Sequence, residues 1–150
     1  MHKKKLHIDM DGVLCDFYGA AKKALITNPT QKYPQSEYGF FLNLKPIKGA
    51  IESVNELRNF YDVYILTKPS SKNLLCYTEK AAWILNHFDY ELQQKIIIIE
   101  DKSMVKGDYL VDDQINANQE LFEGKLIRFG QPSFENWSKV KKYLIKELKK

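Results

Sequence analysis

Two periods of apolar and polar residues divide this chain. Short apolar runs, read as strands, occupy residues 6–9, 62–67, 95–99, 108–113 and 125–129. Between them, apolar residues recur at spacings of three and four, the mark of a helix with one buried face. That spacing predicts helices over residues 17–26, 47–60, 73–88, 114–122 and 133–150. The clearest stripes are Ile51, Val54, Leu57 and Phe60, then Leu74, Tyr77, Ala81, Ile84 and Phe88. Residues 28–39 carry two prolines among polar residues and read as an irregular excursion. Lys95 is followed by four isoleucines, as expected for a strand covered on both faces.

Strands alternate with helices almost throughout, which argues for an α/β fold: a Rossmann-like parallel sheet with helices on both faces. In such sheets functional groups gather at the carboxyl ends of strands. Asp9 and Asp11, Thr67, and Asp112 and Asp113 each stand at such an end. Asp11-Gly12 is also a common turn dipeptide. Carboxylates where a buried strand breaks into a loop are costly unless paired, and a divalent cation removes that cost. Four carboxylates and one hydroxyl on one edge suggest magnesium, which prefers oxygen ligands and commonly bridges to a substrate phosphate. Lys102 and Lys106 both precede the strand that ends at Asp112, and either could balance the phosphate.

Composition narrows the class. At 150 residues and 44% hydrophobic, the chain is long and apolar enough for a single domain with its own core, and no repeat or low-complexity linker divides it. Cys15 and Cys76 lie in apolar surroundings and read as small core residues, which fits a cytoplasmic location. Asp9 interrupts the first apolar stretch too early for a secretory signal, and no run is long enough to span a membrane. The net charge of +4 is mild. The lysines of the tail fall on the polar side of an apolar stripe, as a solvated helix face rather than a nucleic-acid patch.

The sequence Asp9-Met10-Asp11-Gly12-Val13, then Ile65-Leu66-Thr67, Asp101-Lys102 and Asp112-Asp113, resembles the four motifs of the haloacid dehalogenase-like hydrolases. Three further segments resemble that superfamily's 5'(3')-deoxyribonucleotidase branch. They are Phe40-Phe41-Leu42-Asn43-Leu44-Lys45-Pro46-Ile47-Lys48-Gly49-Ala50, Cys76-Tyr77-Thr78-Glu79-Lys80-Ala81-Ala82-Trp83, and the stretch from Asp101-Lys102-Ser103 through Gly107 to Asp113.

The resemblance implies a magnesium-dependent phosphomonoesterase for nucleoside monophosphates. Asp9 would be the nucleophile that takes the phosphoryl group as an aspartyl-phosphate, splitting one hard displacement into two easier ones. Asp11 would protonate the leaving alkoxide and then activate water, Thr67 would hydrogen-bond the phosphate, and Lys102 would neutralise charge on the transferring group. Asp9, the main-chain carbonyl of Asp11, and Asp112 would bind Mg2+, with Asp113 supporting it. Lys80 aligns with a helix lysine near the phosphate, or is simply solvated. Phe17, Phe40 and Phe41 are candidates to face the nucleobase, or pack in the core.

The chain also departs from the branch. The cap that follows the first strand is reduced to about residues 17–45, which leaves fewer base contacts. Glu100 replaces an arginine, and Lys68 replaces a small hydroxyl residue after Thr67; Lys68 is expected to take over part of the missing charge at the substrate. A short cap keeps open a different small phosphate ester, such as a sugar phosphate. A nucleic-acid 3'-phosphate end and a non-catalytic phosphate-binding domain are further alternatives. The branch tends to dimerise, so a homodimer is a further expectation.

Overall fold

The computed structural model describes residues 2–149; Met1 and Lys150, the last position of the expected terminal helix, lie outside the described residues. Five strands form one parallel sheet: β1 (Lys5–Ile8), β2 (Asp62–Thr67), β3 (Ile96–Ile98), β4 (Tyr109–Asp112) and β5 (Lys125–Arg128), in the order β3-β2-β1-β4-β5. Parallel neighbours need crossovers, and α-helices supply those from β1 to β2 and from β2 to β3. The first holds α1 (Phe17–Thr27) and α2 (Ala50–Leu57), the second α3 (Cys76–His87) and α4 (Tyr90–Gln93), and α5 (Trp137–Glu147) follows β5.

The register aligns the strand ends. Ile8 on central β1 pairs with Ile65 on β2 and Val111 on β4, so Asp9, Thr67 and Asp112 emerge on one edge. The backbone N–H of Asp9 donates to the carbonyl of Val111 at 2.9 Å, extending that alignment into the loop.

One face of the sheet carries the larger core. Leu6, Ile8, Val63, Ile65, Val111 and Ile127 pack there with Val54 of α2, Trp83 of α3, and Trp137 and Leu144 of α5. Leu66, Leu110 and Phe122 form a smaller cluster beside Ile97 and Leu126. Both tryptophans are buried and satisfied: the indole N–H of Trp83 donates to the Leu44 carbonyl, and that of Trp137 to the Val13 carbonyl, each at 2.8 Å. Cys15 and Cys76 are buried free thiols.

Four expectations change. The Ile96–Ile98 strand is half-buried rather than fully covered, because it lies at the sheet edge. The expected helix at 114–122 does not form. Asn118 adopts φ +56 and only Gln119–Leu121 closes a 3-10 turn. Side-chain acceptors compete for the backbone there: Asp112 accepts the N–H of Gln114, and Gln119 accepts that of Ala117. The helix expected over 47–60 starts only at Ala50, after Gly49 turns through φ +80. The terminal helix starts at Trp137, where the Asn136 side chain caps it by accepting the N–H of Lys139.

Candidate active site

The loop after β1 is set by backbone bonds. The carbonyl of Met10 accepts the N–H groups of Val13, Leu14 and Cys15, curling the chain so that Asp9 and Asp11 face one cleft. Gly12 sits at φ +82, where a Cβ would come 2.3 Å from Oδ2 of Asp113 and 2.7 Å from the Tyr18 ring. Only glycine lets this loop approach the end of β4 so closely.

Asp9 and Asp112 share one cation. The ammonium of Lys102 donates to Oδ1 of Asp9 at 2.8 Å and also to Oδ2 of Asp112. All three side chains are buried. Burial pushes the Asp9 carboxyl up to about 8; Lys102 pulls it down, while Asp112 and Asp11 push it further up. Burial also opposes the charge on Lys102, but the pull of Asp9 and Asp112 leaves its pKa above the ordinary value. Burial raises Asp113 too, partly offset by hydrogen bonds from Gln114 and Tyr18.

Carboxylate oxygens of Asp9, Asp112 and Asp113 lie within 4.8 Å of one another. Oδ1 of Asp113 is buried without a hydrogen-bond partner. A buried oxygen with no donor beside two further carboxylates fits a hard divalent cation, which takes oxygen ligands. The side chain of Asp11 points elsewhere, accepting from Lys80 at 3.0 Å.

Lys80 is 1% exposed, so the solvated alternative does not hold. Its three donors go to Oδ2 of Asp11, to the Thr67 hydroxyl oxygen at 2.8 Å and to the Lys68 carbonyl at 2.6 Å. The Phe41 ring lies 5.0 Å from the same ammonium. By contrast, the Lys106 side chain is exposed, and it is the backbone carbonyl of this residue that meets His7.

Asp9, Asp11, Lys102 and Asp112 line a cleft of about 280 Å³, whereas Thr67 and Lys80 are buried next to Asp11 and outside its lining. Phe17, Phe41 and Lys68 line the cleft as well, whereas Phe40 faces a neighbouring groove. Lys68 pairs with Glu100 at 2.8 Å, so the two residues that depart from the resembled branch neutralise each other. A second hollow, about 340 Å³, opens at the opposite end of the strands. Its Arg58 and Lys95 already pair with Asp89 and Asp62.

Several cleft residues escape a reading of the sequence. Tyr18 donates to Asp113 at 3.2 Å and accepts from Gln114 at 2.9 Å. Burial, and then the charge of Asp113, raise its phenol above the ordinary range. Buried Gln119 donates to Asp112 at 3.2 Å. The polar residues at 114–119 carry this signal, but helical spacing masks it. Tyr18 follows Phe17 directly and was legible only as a helix residue.

The profile of a known family, described as 5' nucleotidase, deoxy (pyrimidine), cytosolic type C protein, matches residues 24–143. The chain belongs to this family. That match begins beyond Asp9 and Asp11, but a relative from Vibrio phage KVP40 spans them. It is provisionally named a 5'(3')-deoxyribonucleotidase and is 31% identical over 98% of this chain and 88% of its own length. The human cytosolic-type 5'(3')-deoxyribonucleotidase is 30% identical over 71% of this chain and 69% of its own. Solved structures share the fold of this nucleotidase-family chain. YfnB of Bacillus subtilis, a haloacid dehalogenase-type hydrolase bound to magnesium, superposes with a TM-score of 0.68 at 13% identity, covering 97% of this chain and all of that one. A haloacid dehalogenase-like hydrolase from Xanthomonas campestris gives 0.63 at 11% identity, over 97% and 91%. Among the described residues, no helix is long and apolar enough to cross a membrane.

Proposed function

We propose that this chain is a magnesium-dependent 5'(3')-deoxyribonucleotidase that removes phosphate from nucleoside monophosphates through an aspartyl-phosphate on Asp9. Family membership makes it a nucleotidase-type phosphoric monoester hydrolase. The observation that carries the mechanism is the buried Asp9–Lys102–Asp112 cluster opening onto a cleft walled by Phe17 and Phe41.

Asp9, Asp112 and Asp113, with the main-chain carbonyl of Asp11, would hold the magnesium, which supplies positive charge against the phosphate oxygens. A carboxylate oxygen of Asp9 attacks phosphorus as the ester P–O bond breaks. Asp11 gives its proton to the leaving alkoxide, then takes one from the water that cleaves the aspartyl-phosphate. Lys80 orients Asp11 for both transfers and keeps the Thr67 hydroxyl oxygen occupied, so that this hydroxyl donates its hydrogen toward phosphate. Lys102 offsets charge on the transferring group, and Lys68 binds substrate at the rim. Half-buried Phe17 offers ring surface to the base, and Phe41, 2% exposed, borders the cleft from the core.

The unit is a single hydrolase domain over residues 1–150, with residues 17–45 serving as a reduced cap. The polar rim residues Gln35, Gln114 and Asn116 favour one second reading, a sugar phosphate held mainly by hydrogen bonds.

Phosphate release tests both readings. Nucleotides, deoxynucleotides and sugar phosphates are compared with and without magnesium, with Asp9→Asn as the blank. Selective release from deoxynucleotides supports the proposal. Sugar-selective release keeps the chemistry and replaces the substrate class, and release by Asp9→Asn removes the aspartyl-phosphate.

A further inference from the structure

Three side chains from one stretch of chain read the backbone of another through four hydrogen bonds. Asn73 donates its side-chain amide to the carbonyl of Glu37 at 3.2 Å. Glu79 of α3 accepts the N–H of Gly39 at 2.6 Å on one carboxylate oxygen and that of Phe41 at 3.1 Å on the other. Trp83 donates to the carbonyl of Leu44. The 37–44 segment is therefore docked by its main chain as well as by the buried side chains of Phe41 and Leu44.

Glu79 is the unusual member. It is 6% exposed, and it forms no ion pair within the salt-bridge distance among the described residues. A buried carboxylate without a cation is costly unless N–H groups satisfy it. Both of its oxygens are satisfied by a loop that would otherwise show unpaired backbone donors. The next residue, Lys80, holds Asp11 and Thr67. Two consecutive residues of α3 thus hold adjoining parts of the site: Glu79 the loop that carries Phe41, and Lys80, whose ammonium lies 5.0 Å from that ring, Asp11 and Thr67.

We infer that Glu79 is a positioning residue for nucleoside selection, fixing the Phe41 ring at a set distance from Asp9 so that a base and a phosphate are bound together. This inference rests on the proposed function, because it takes Phe41 as a ring bordering the base. Orientation errors of about 1 Å at a reacting centre cost roughly a hundredfold, so a loosened ring would be felt in catalysis as well as binding.

The test compares thymidine 5'-monophosphate with 2-deoxyribose 5-phosphate, which keeps the sugar and phosphate and lacks the base. Glu79→Gln preserves shape but can accept only one of the two N–H groups. The expected result is a KM for the nucleotide raised roughly tenfold or more relative to the change for the baseless ester. In a Phe41→Ala background, Glu79→Gln should add no further loss on the nucleotide, as for two residues acting through one contact. Equal losses on both esters, no loss on either, or full additivity with Phe41→Ala would overturn the inference.

Amide hydrogen exchange of the unaltered protein supplies an arm that needs neither variant nor turnover. The Gly39 and Phe41 amides should exchange slowly, and exchange as fast as open-loop amides would overturn the clamp. If the wild type cleaves neither ester while both amides are protected, the functional reading fails and the clamp stands.

Discussion

The ammonium of Lys80 lies 3.0 Å from Oδ2 of Asp11, across 69 positions of chain. The proposed acid–base group is therefore oriented by a helix remote from it in sequence, and the same ammonium bonds Thr67. Replacing Lys80 with Met should lower kcat by roughly a hundredfold, the scale of losing one fixed charge at a reacting centre. Lys80→Arg should rescue little, because a planar fork cannot reach three acceptors arranged around a point charge. Steady-state kinetics at saturating magnesium check both.

Lys102 compensates two buried carboxylates at once. In Lys102→Met, Asp9 and Asp112 stay buried without their cation, at a cost of about 3–5 kcal/mol in the metal-free protein. Magnesium should return part of that loss by binding the folded state alone. Urea unfolding with and without magnesium measures this. An unfolding midpoint that ignores magnesium in both wild type and variant would count against a metal site at Asp9, Asp112 and Asp113.

Lys68 and Glu100 face each other at 2.8 Å, and Glu100 is 71% exposed. Glu100→Ala should free Lys68 toward the cleft and lower the KM for a phosphate ester several-fold, about 1 kcal/mol at most for an exposed pair. Lys68→Ala should raise it. If neither KM moves, Lys68 does not touch the substrate.

Asp89 supplies a pH dependence away from the site. Hydrogen bonds from Arg58, then the N–H of Leu92, hold its carboxyl below the usual range. A carboxylate whose pKa is lower in the folded state stabilises the fold above its ordinary value near 4. That contribution fades as pH falls through the depressed folded value. Because the side chain is 49% exposed, Asp89→Asn should cost only about 0.5 kcal/mol at neutral pH. The difference should vanish in acid, as urea titrations at several pH values would reveal.

The large elements were legible because burial imposes a period on the residues that form them. All five strands fall within a residue of their expected ends, and α1 runs as its spacing indicated. The segment at 114–122 misled, since its apolar spacing mimics a helix while Asp112 and Gln119 capture its backbone N–H groups. Such side-chain capture depends on neighbours that helical spacing does not encode.

The sequence by itself determined the parallel α/β sheet and the presence of acids at its strand ends. Alternating short apolar runs and helical stripes leave few other ways to bury their surface. Tertiary structure alone decided which lysine meets which acid. Lys102 and Lys106 differ little as letters, yet one is buried between Asp9 and Asp112 and the other is exposed. The sequence left Lys80 open between a lysine near the phosphate and a solvated one, and only the packing of α3 aimed it at Asp11 and Thr67. Periodicity tells which side of a helix is apolar, whereas the partner of a buried charge depends on how separate elements pack in three dimensions.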